Sequence, residues 1–192
     1  MKDPFLVFPD LETERLELEQ VTLNDLEAMY EIKSNPEVTH QYCREPHTSM
    51  IQTESWIRIL LDDYRERKTL FWKIVEKGED RIAGSITLWN LDLGSSVAEV
   101  GYELHPDFWK KGIMRESLDC VLRWTFENFG LNRVEACPIQ GNSSSAGLLE
   151  RAGFKLEGTL RERVFFGGRF LDQYYYALLR KDWIRMKIQQ KF

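Results

Sequence analysis

The sequence predicts an α+β domain built on a mixed, mostly antiparallel sheet, and three observations carry that reading. The elements run strand, two helices, three strands, helix, strand, helix, two strands, an order that a simple doubly wound parallel sheet does not produce. Two apolar runs, 69–77 and 81–90, flank Gly78-Glu79-Asp80, the composition and spacing of a hairpin. A strictly alternating run, 97–104, then passes through a glycine loop into a helical stripe. The total is seven strands flanked by about four helices.

Residues 13–21 alternate, with Leu16 and Leu18 on one face and Glu17 and Glu19 on the other. Asn24 opens a helix carrying Leu26, Met29, Tyr30 and Lys33, stopped before Pro36. Residues 37–47 read as loop. From Thr48 a second helix presents Ile51, Ser55, Ile59 and Asp62, with Trp56 and Leu60 alongside. The hairpin follows, and then strand 97–104 sets Glu99, Gly101 and Glu103 on one face against Val100, Tyr102 and Leu104 on the other. A helix over about 112–128 buries Leu118, Val121, Leu122, Thr125 and Phe129 and ends at Gly130. Residues 132–139 form a strand and 142–152 a short helix. Strands 154–166 and 169–179 close the chain around Gly167-Gly168.

The chain's 192 residues fit one domain, 1–192, with a core over about 12–183. Apolar residues make up 43% and charged residues 30%, enough for a globular core. The net charge of −5 argues against a general nucleic-acid binder, with no DNA partner expected, but leaves room for a local cationic site. No apolar run is long enough for a secretory or membrane-spanning segment, so a cytoplasmic protein without membrane partners is expected. Three scattered cysteines and three histidines suggest neither disulfides nor a metal site.

The stretch HPDFWKKGIMRES, 105–117, poses a chemical question. It gathers Lys110, Lys111 and Arg115 around Gly112 where a helix is about to begin. A helix start carries unpaired N–H groups and partial positive charge, and a glycine lets an anion approach the backbone. Solvated loop charge reads the same way in isolation. The P-loop and dinucleotide-binding glycine patterns are both absent.

A second motif supplies the resemblance. NSSSAGLLERAGF, 142–154, resembles the second signature of the GNAT acetyltransferases, in the branch of the RimJ/RimL-type ribosomal-protein N-acetyltransferases. Ala98-Glu99-Val100-Gly101-Tyr102-Glu103-Leu104 resembles that branch's AExGYxL strand. Pro106, Trp109, Lys111, Gly112 and Glu116 resemble its PxxWxKGxxxE loop, and Glu14-Arg15-Leu16 its ETERL opening. The likeness covers about residues 12–183. Departures are Met114, where the superfamily has Gly or Ala, and Ala146-Gly147 in place of a frequent basic pair.

The resemblance implies a GNAT fold, acetyl-CoA as cosubstrate, no metal, and direct attack by an amine in a ternary complex. It implies that strand 97–104 splays from 132–139 and that pantetheine lies in the gap, against backbone near Leu104 and His105. The pyrophosphate would meet the amides of Lys110, Lys111, Gly112, Ile113, Met114 and Arg115, behind Trp109, and Asn142 would hold the cofactor's arm. Ser145 matches the serine thought to serve the leaving thiolate, though three serines after Asn142 also suit a plain helix cap. Glu99 is the preferred base and Glu103 reads as a solvated face. The branch's own carboxylate falls on Val164, with Glu162 and Asp172 nearby.

Phe71, Trp72 and Trp89 read as core or pocket wall, with core preferred, and Tyr174, Tyr175 and Tyr176 as strand aromatics. Glu31, Glu37, Glu45, Asp62 and Asp63 give the expected acceptor side an acidic character that suits a cationic amine or basic peptide, or equally an ordinary solvated face. The acceptor is left open between a peptide N-terminus, a polyamine and a small metabolite or drug, and a homodimer is open as well. The alternatives are a non-catalytic CoA-binding sensor or interaction protein, and, disfavoured by charge, an RNA-associated module.

Overall fold

A computed structural model describes residues 3–189. Its strands are β1 (Leu11–Glu12), β2 (Leu16–Gln20), β3 (Leu70–Glu76), β4 (Ile82–Asp92), β5 (Val97–Leu104), β6 (Arg133–Ala136), β7 (Lys155–Phe166) and β8 (Arg169–Leu179). Its helices are α1 (Leu26–Lys33), α2 (Pro36–Thr39), α3 (Met50–Arg65), α4 (Ile113–Trp124), α5 (Ser143–Arg151) and α6 (Arg180–Gln189).

One eight-stranded sheet has the order β1-β2-β3-β4-β5-β6-β8-β7. Every pairing is antiparallel except β5 with β6. The architecture is therefore the expected mixed α+β fold, with one strand and two helices more. The extra strand, β1, is two residues long, too short for alternation to register. The first helix, α1, ends at Lys33, before Pro36 as expected, but Pro36 then opens α2 in what was expected as loop; its missing N–H costs nothing in a first turn, and Asn35 caps that turn by accepting from Glu37 N at 2.9 Å. Residues 40–42, also expected as loop, continue as a 3-10 turn. The other extra helix, α6, buries only Trp183, so its sequence carries little stripe to read.

The sheet divides the core. On one face Leu16, Leu18, Trp72, Ile86, Leu88, Ala98, Val100 and Val134 pack against α4, α5 and α6. On the other, Val21, Met29, Ile32, Val38, Ile57, Phe71 and Ile82 pack under α1–α3. The expected stripe of α3 was the wrong one. Ile51 and Ile59 stand in solvent, and the buried side is Thr53 and Ile57 with Trp56 and Leu60 beside them. This helix has apolar residues on more than one side, and contact with Phe71 and Ile32 selects among them. Trp72 and Phe71 are core as expected, but Trp89 is 41% exposed.

Strand β6 is shorter than 132–139 for a reason that matters to the site. It pairs with β5 only through Val97↔Arg133, Ala98↔Val134 and Glu99↔Glu135. Beyond that the two strands separate, and the chain after β6 is held to β8 by the backbone bridge Ile139↔Gln173 and by side-chain hydrogen bonds from Gln173 Nε2 to Cys137 O and from Asp172 N to Gln140 Oε1.

Candidate active site

Four pieces converge where β5 and β6 part. The first is the unpaired length of β5. His105 N donates to Ala83 O at 2.9 Å, so alternation turns the amides of residues 103 and 101 toward β4. The backbone groups of Tyr102 and Leu104 therefore face the gap. The carbonyl of Leu104 is already taken, because Trp109 Nε1 donates to it at 2.9 Å. Trp109 thus fixes the turn after β5.

The second piece is the N-terminus of α4. Gly112 sits at its cap with φ 80°, a left-handed conformation favourable to glycine, and no side chain caps the helix. Lys110, also left-handed at φ 62°, precedes it. Lys110, Lys111 and Gly112 are exposed, whereas Ile113 and Met114 are buried and anchor the first turn. Met114 accordingly points into the core and leaves the amides open. Lys111 Nζ lies 5.2 Å from the Phe108 ring centre. Arg115 turns along the helix, its Nε donating to Asp119 Oδ2 at 2.8 Å, so its charge is shared with that carboxylate.

A cation not assigned to this loop from sequence stands over it. Arg15 donates to Glu116 Oε2 from Nε at 2.8 Å and from Nη2 at 2.6 Å, and Nη1 reaches Lys111 O at 3.4 Å. Thr13 also donates to Glu116. The Thr13–Arg15 stretch and the glutamate four residues after Gly112 are thereby tied together. Burial works to raise the Glu116 carboxyl's pKa, but the hydrogen bonds from Thr13 and Arg15 outweigh it and hold it below its usual range.

The third piece is the start of α5. Asn142 Oδ1 accepts from Ser145 N at 3.1 Å, a helix cap, and its Nδ2 donates to Gln41 O at 2.9 Å. Ser143 and Ser144 are exposed, but Ser145 Oγ lies 2.8 Å from Tyr102 OH across the end of the gap. Burial pushes the Tyr102 phenol up to about 12, with the Ser145 hydrogen bond opposing it. Tyr102 was read only as a face residue, and a partner 43 positions away leaves no local signature.

The fourth piece is the face of β5 that carries Glu99 and Glu103, and here the carboxylates differ sharply. Glu103 is not solvated. It is 8% exposed, bound to Lys33 Nζ at 2.7 Å and accepting from Tyr42 OH at 2.7 Å and Ser85 Oγ at 3.1 Å. Glu135 is paired with Arg133 at 2.7 Å, and Arg133 also holds Glu157. Glu99 stands between them and has no ion pair among the described residues; it accepts from Asn90 Nδ2 at 3.0 Å and from the Cys137 thiol. Burial raises its carboxyl above the usual range, the Asn90 and Cys137 hydrogen bonds oppose this, and the Glu135 charge adds to it. The Cys137 thiol, raised to about 12 by burial first and then by Glu99, remains protonated at neutral pH. Trp89 lies directly opposite Glu99 on β4 and borders the same open face.

The remaining candidates lie apart. Val164 is on the β7 edge, and Glu162, exposed and left-handed, donates its N–H to Asp172 Oδ1 at 2.8 Å. Glu31, Glu37 and Glu45 are exposed, and Asp62 pairs with Arg65. Tyr176 donates to Glu150, and Tyr175 meets Cys137 beside Glu99. Among the described residues no group of three or more His, Cys, Asp or Glu could hold a metal ion. None of the described helices is long and apolar enough to cross a membrane.

Comparison with known proteins places this geometry among acetyl transferases. Residues 15–155 match the acetyltransferase (GNAT) domain. The N-acetyltransferase YoaA of Bacillus subtilis (strain 168) is 34% identical over 174 residues, 91% of this chain and 98% of its own. The [Ribosomal protein uS5]-alanine N-acetyltransferase of Escherichia coli (strain K12) is 26% identical over 62% of each chain. Among solved structures, RimL, the ribosomal L7/L12 α-N-protein acetyltransferase in complex with coenzyme A, superposes with a TM-score of 0.83 at 20% identity. The match covers 89% of this chain and 98% of that one, a likeness of fold.

Proposed function

The chain belongs to the GNAT acetyltransferase family, in its RimJ/RimL-like branch, and from that premise we propose that it transfers the acetyl group of acetyl-CoA directly to a primary amine, within one domain spanning 1–192. The observation that carries this reading is the parting of β5 and β6 after Glu99↔Glu135, beside the open N-terminus of α4.

The residues present fit the cofactor. Exposed Lys110 and Lys111 and the first-turn amides behind Gly112 suit a diphosphate, and the free edge of β5 at Tyr102 suits an amide-bearing arm. When bound, acetyl-CoA supplies the thioester that an amine can attack. The chain's own groups do the rest. Glu99, which has no ion-pair partner among the described residues and is held basic by burial, takes a proton from the acceptor ammonium. Ser145, at the end of the gap beside Tyr102, would offer its O–H as a hydrogen bond to the leaving sulfur. Glu103 is paired with Lys33 and Glu135 with Arg133, which leaves Glu99 the carboxylate of the face without an ion pair among the described residues.

A modest base favours an α-amine. Neutralising a lysine amine of pKa ~10.4 at pH 7 costs roughly 4.6 kcal/mol, an α-amine near 7.8 roughly 1.1. Peptide N-termini are therefore the leading acceptors, with polyamines and small amines behind. The test is thiol release from acetyl-CoA across N-terminal peptides, lysine peptides, spermidine and aminoglycosides. Release that depends on an amine supports the transferase, and the best acceptor names its class. Val164, where the branch carries a carboxylate, favours one second reading, a CoA-binding sensor. That reading predicts CoA binding with no release on any amine.

A further inference from the structure

Ser145 is held from two sides. Its backbone N–H is fixed by Asn142 Oδ1 at 3.1 Å, and its hydroxyl meets Tyr102 OH at 2.8 Å. A serine at a helix start otherwise turns freely among three rotamers. Ser143 and Ser144, two and one positions earlier, face solvent. Only Ser145 meets a β5 side chain, and it does so at the strand's unpaired length.

Tyr102 is well suited to this contact. Its ring packs against the core beside Ala98 and Val100, so its position is set by the sheet. Its phenol stays protonated throughout the working pH range, because burial pushes it up to about 12. It is thus a poor base with a proton to donate, although either oxygen of the pair could be the donor on distance alone. A hydroxyl that accepts from a fixed neutral donor keeps its own proton for another acceptor. Two hydroxyls in series also polarise one another, so the outer proton is offered more strongly.

We propose that Tyr102 is a positioning residue for Ser145: its O–H donates to Ser145 Oγ, selects one rotamer, and aims the Ser145 proton into the gap between β5 and β6, where a departing thiolate would need it. No proton leaves Tyr102. The pair is a hydrogen-bond chain that stabilises developing negative charge on sulfur, and the proton lost by the amine goes to Glu99. This inference rests on the transferase reading and adds to it a residue outside the serine motif.

The experiment is a double-substitution cycle, Tyr102→Phe with Ser145→Ala, on the full chain, read three ways. Steady-state kinetics should show kcat of Tyr102→Phe lowered about tenfold, the worth of one well-placed hydrogen bond. KM for acetyl-CoA and the calorimetric Kd of CoA should stay within about twofold, because no cofactor contact is removed. The double variant should be no slower than Ser145→Ala alone. Thermal melting of the ligand-free proteins should repeat that non-additivity. Tyr102→Phe active within about twofold of wild type, losses that multiply, or a loss confined to KM and Kd each overturn the proposal. Should Tyr102→Phe fail to melt cooperatively, Ser145→Thr decides: it keeps the hydroxyl but restricts its rotamer, and must retain kcat if Tyr102 acts through that oxygen. A wild type that releases thiol with no amine overturns the transferase reading itself, and this proposal with it, whereas an active wild type beside an indifferent Tyr102→Phe overturns the positioning role alone.

Discussion

The Lys33 ammonium lies 2.7 Å from Glu103 Oε1, with 13% of the lysine side chain and 5% of the glutamate side chain exposed. It also sits 4.2 Å from the Trp56 ring centre, so one cation joins α1, α3 and β5. Removing one partner strands a buried charge. Glu103→Ala should destabilise the fold by about 3–5 kcal/mol, and Lys33→Met with Glu103→Leu should recover most of that loss. Urea unfolding of the single and double variants checks both.

Glu99 should set stability against activity. The folded protein holds its proton more tightly than the unfolded chain does. Its ionisation therefore costs stability above its folded pKa, and the cost disappears below the unfolded one. At pH 7 Glu99→Gln should raise the melting temperature while lowering kcat by about 10²-fold. In the wild type the acidic limb of kcat/KM should lie above the ordinary carboxylate range, and the variant should lose that limb.

Gly112 should matter twice. An alanine there would hold φ near 80°, at a cost of roughly 1–2 kcal/mol. Its Cβ would meet only Arg15 Nη2 at 3.6 Å, so the protein still folds. CoA binding should weaken about tenfold, close to 1.4 kcal/mol, because the methyl stands where a diphosphate approaches. Calorimetric titration of CoA measures it.

Lys110 and Lys111 should give that binding its salt dependence. Alanine at both should weaken CoA affinity most at low ionic strength, and the wild-type and variant curves should converge as salt screens the charges. The same titration, repeated across a salt series, reads this directly.

What was legible in the sequence was what is local. Strand 97–104 shows alternation strict enough to fix both ends, and Gly167-Gly168, both left-handed, make the turn the strands around them require. The α4 loop was legible because its lysines, glycine and helix start are contiguous. Glu103 was misread because its partners, Lys33 and Tyr42, lie 70 and 61 residues away. Tyr102 and Arg15 escaped for the same reason, since each acts on a group that only the folded sheet brings near. The stripe of α3 failed differently: several of its sides were apolar enough to bury, and tertiary contact decided among them.

The central claim is direct transfer to an amine, and the most direct measurement is an initial-rate matrix varying acetyl-CoA and amine together. The account predicts amine-dependent thiol release with intersecting double-reciprocal lines, the pattern of a ternary complex. Parallel lines would place the acetyl group on the protein first and contradict direct attack. Thiol release at a rate indifferent to amine would contradict the transferase altogether.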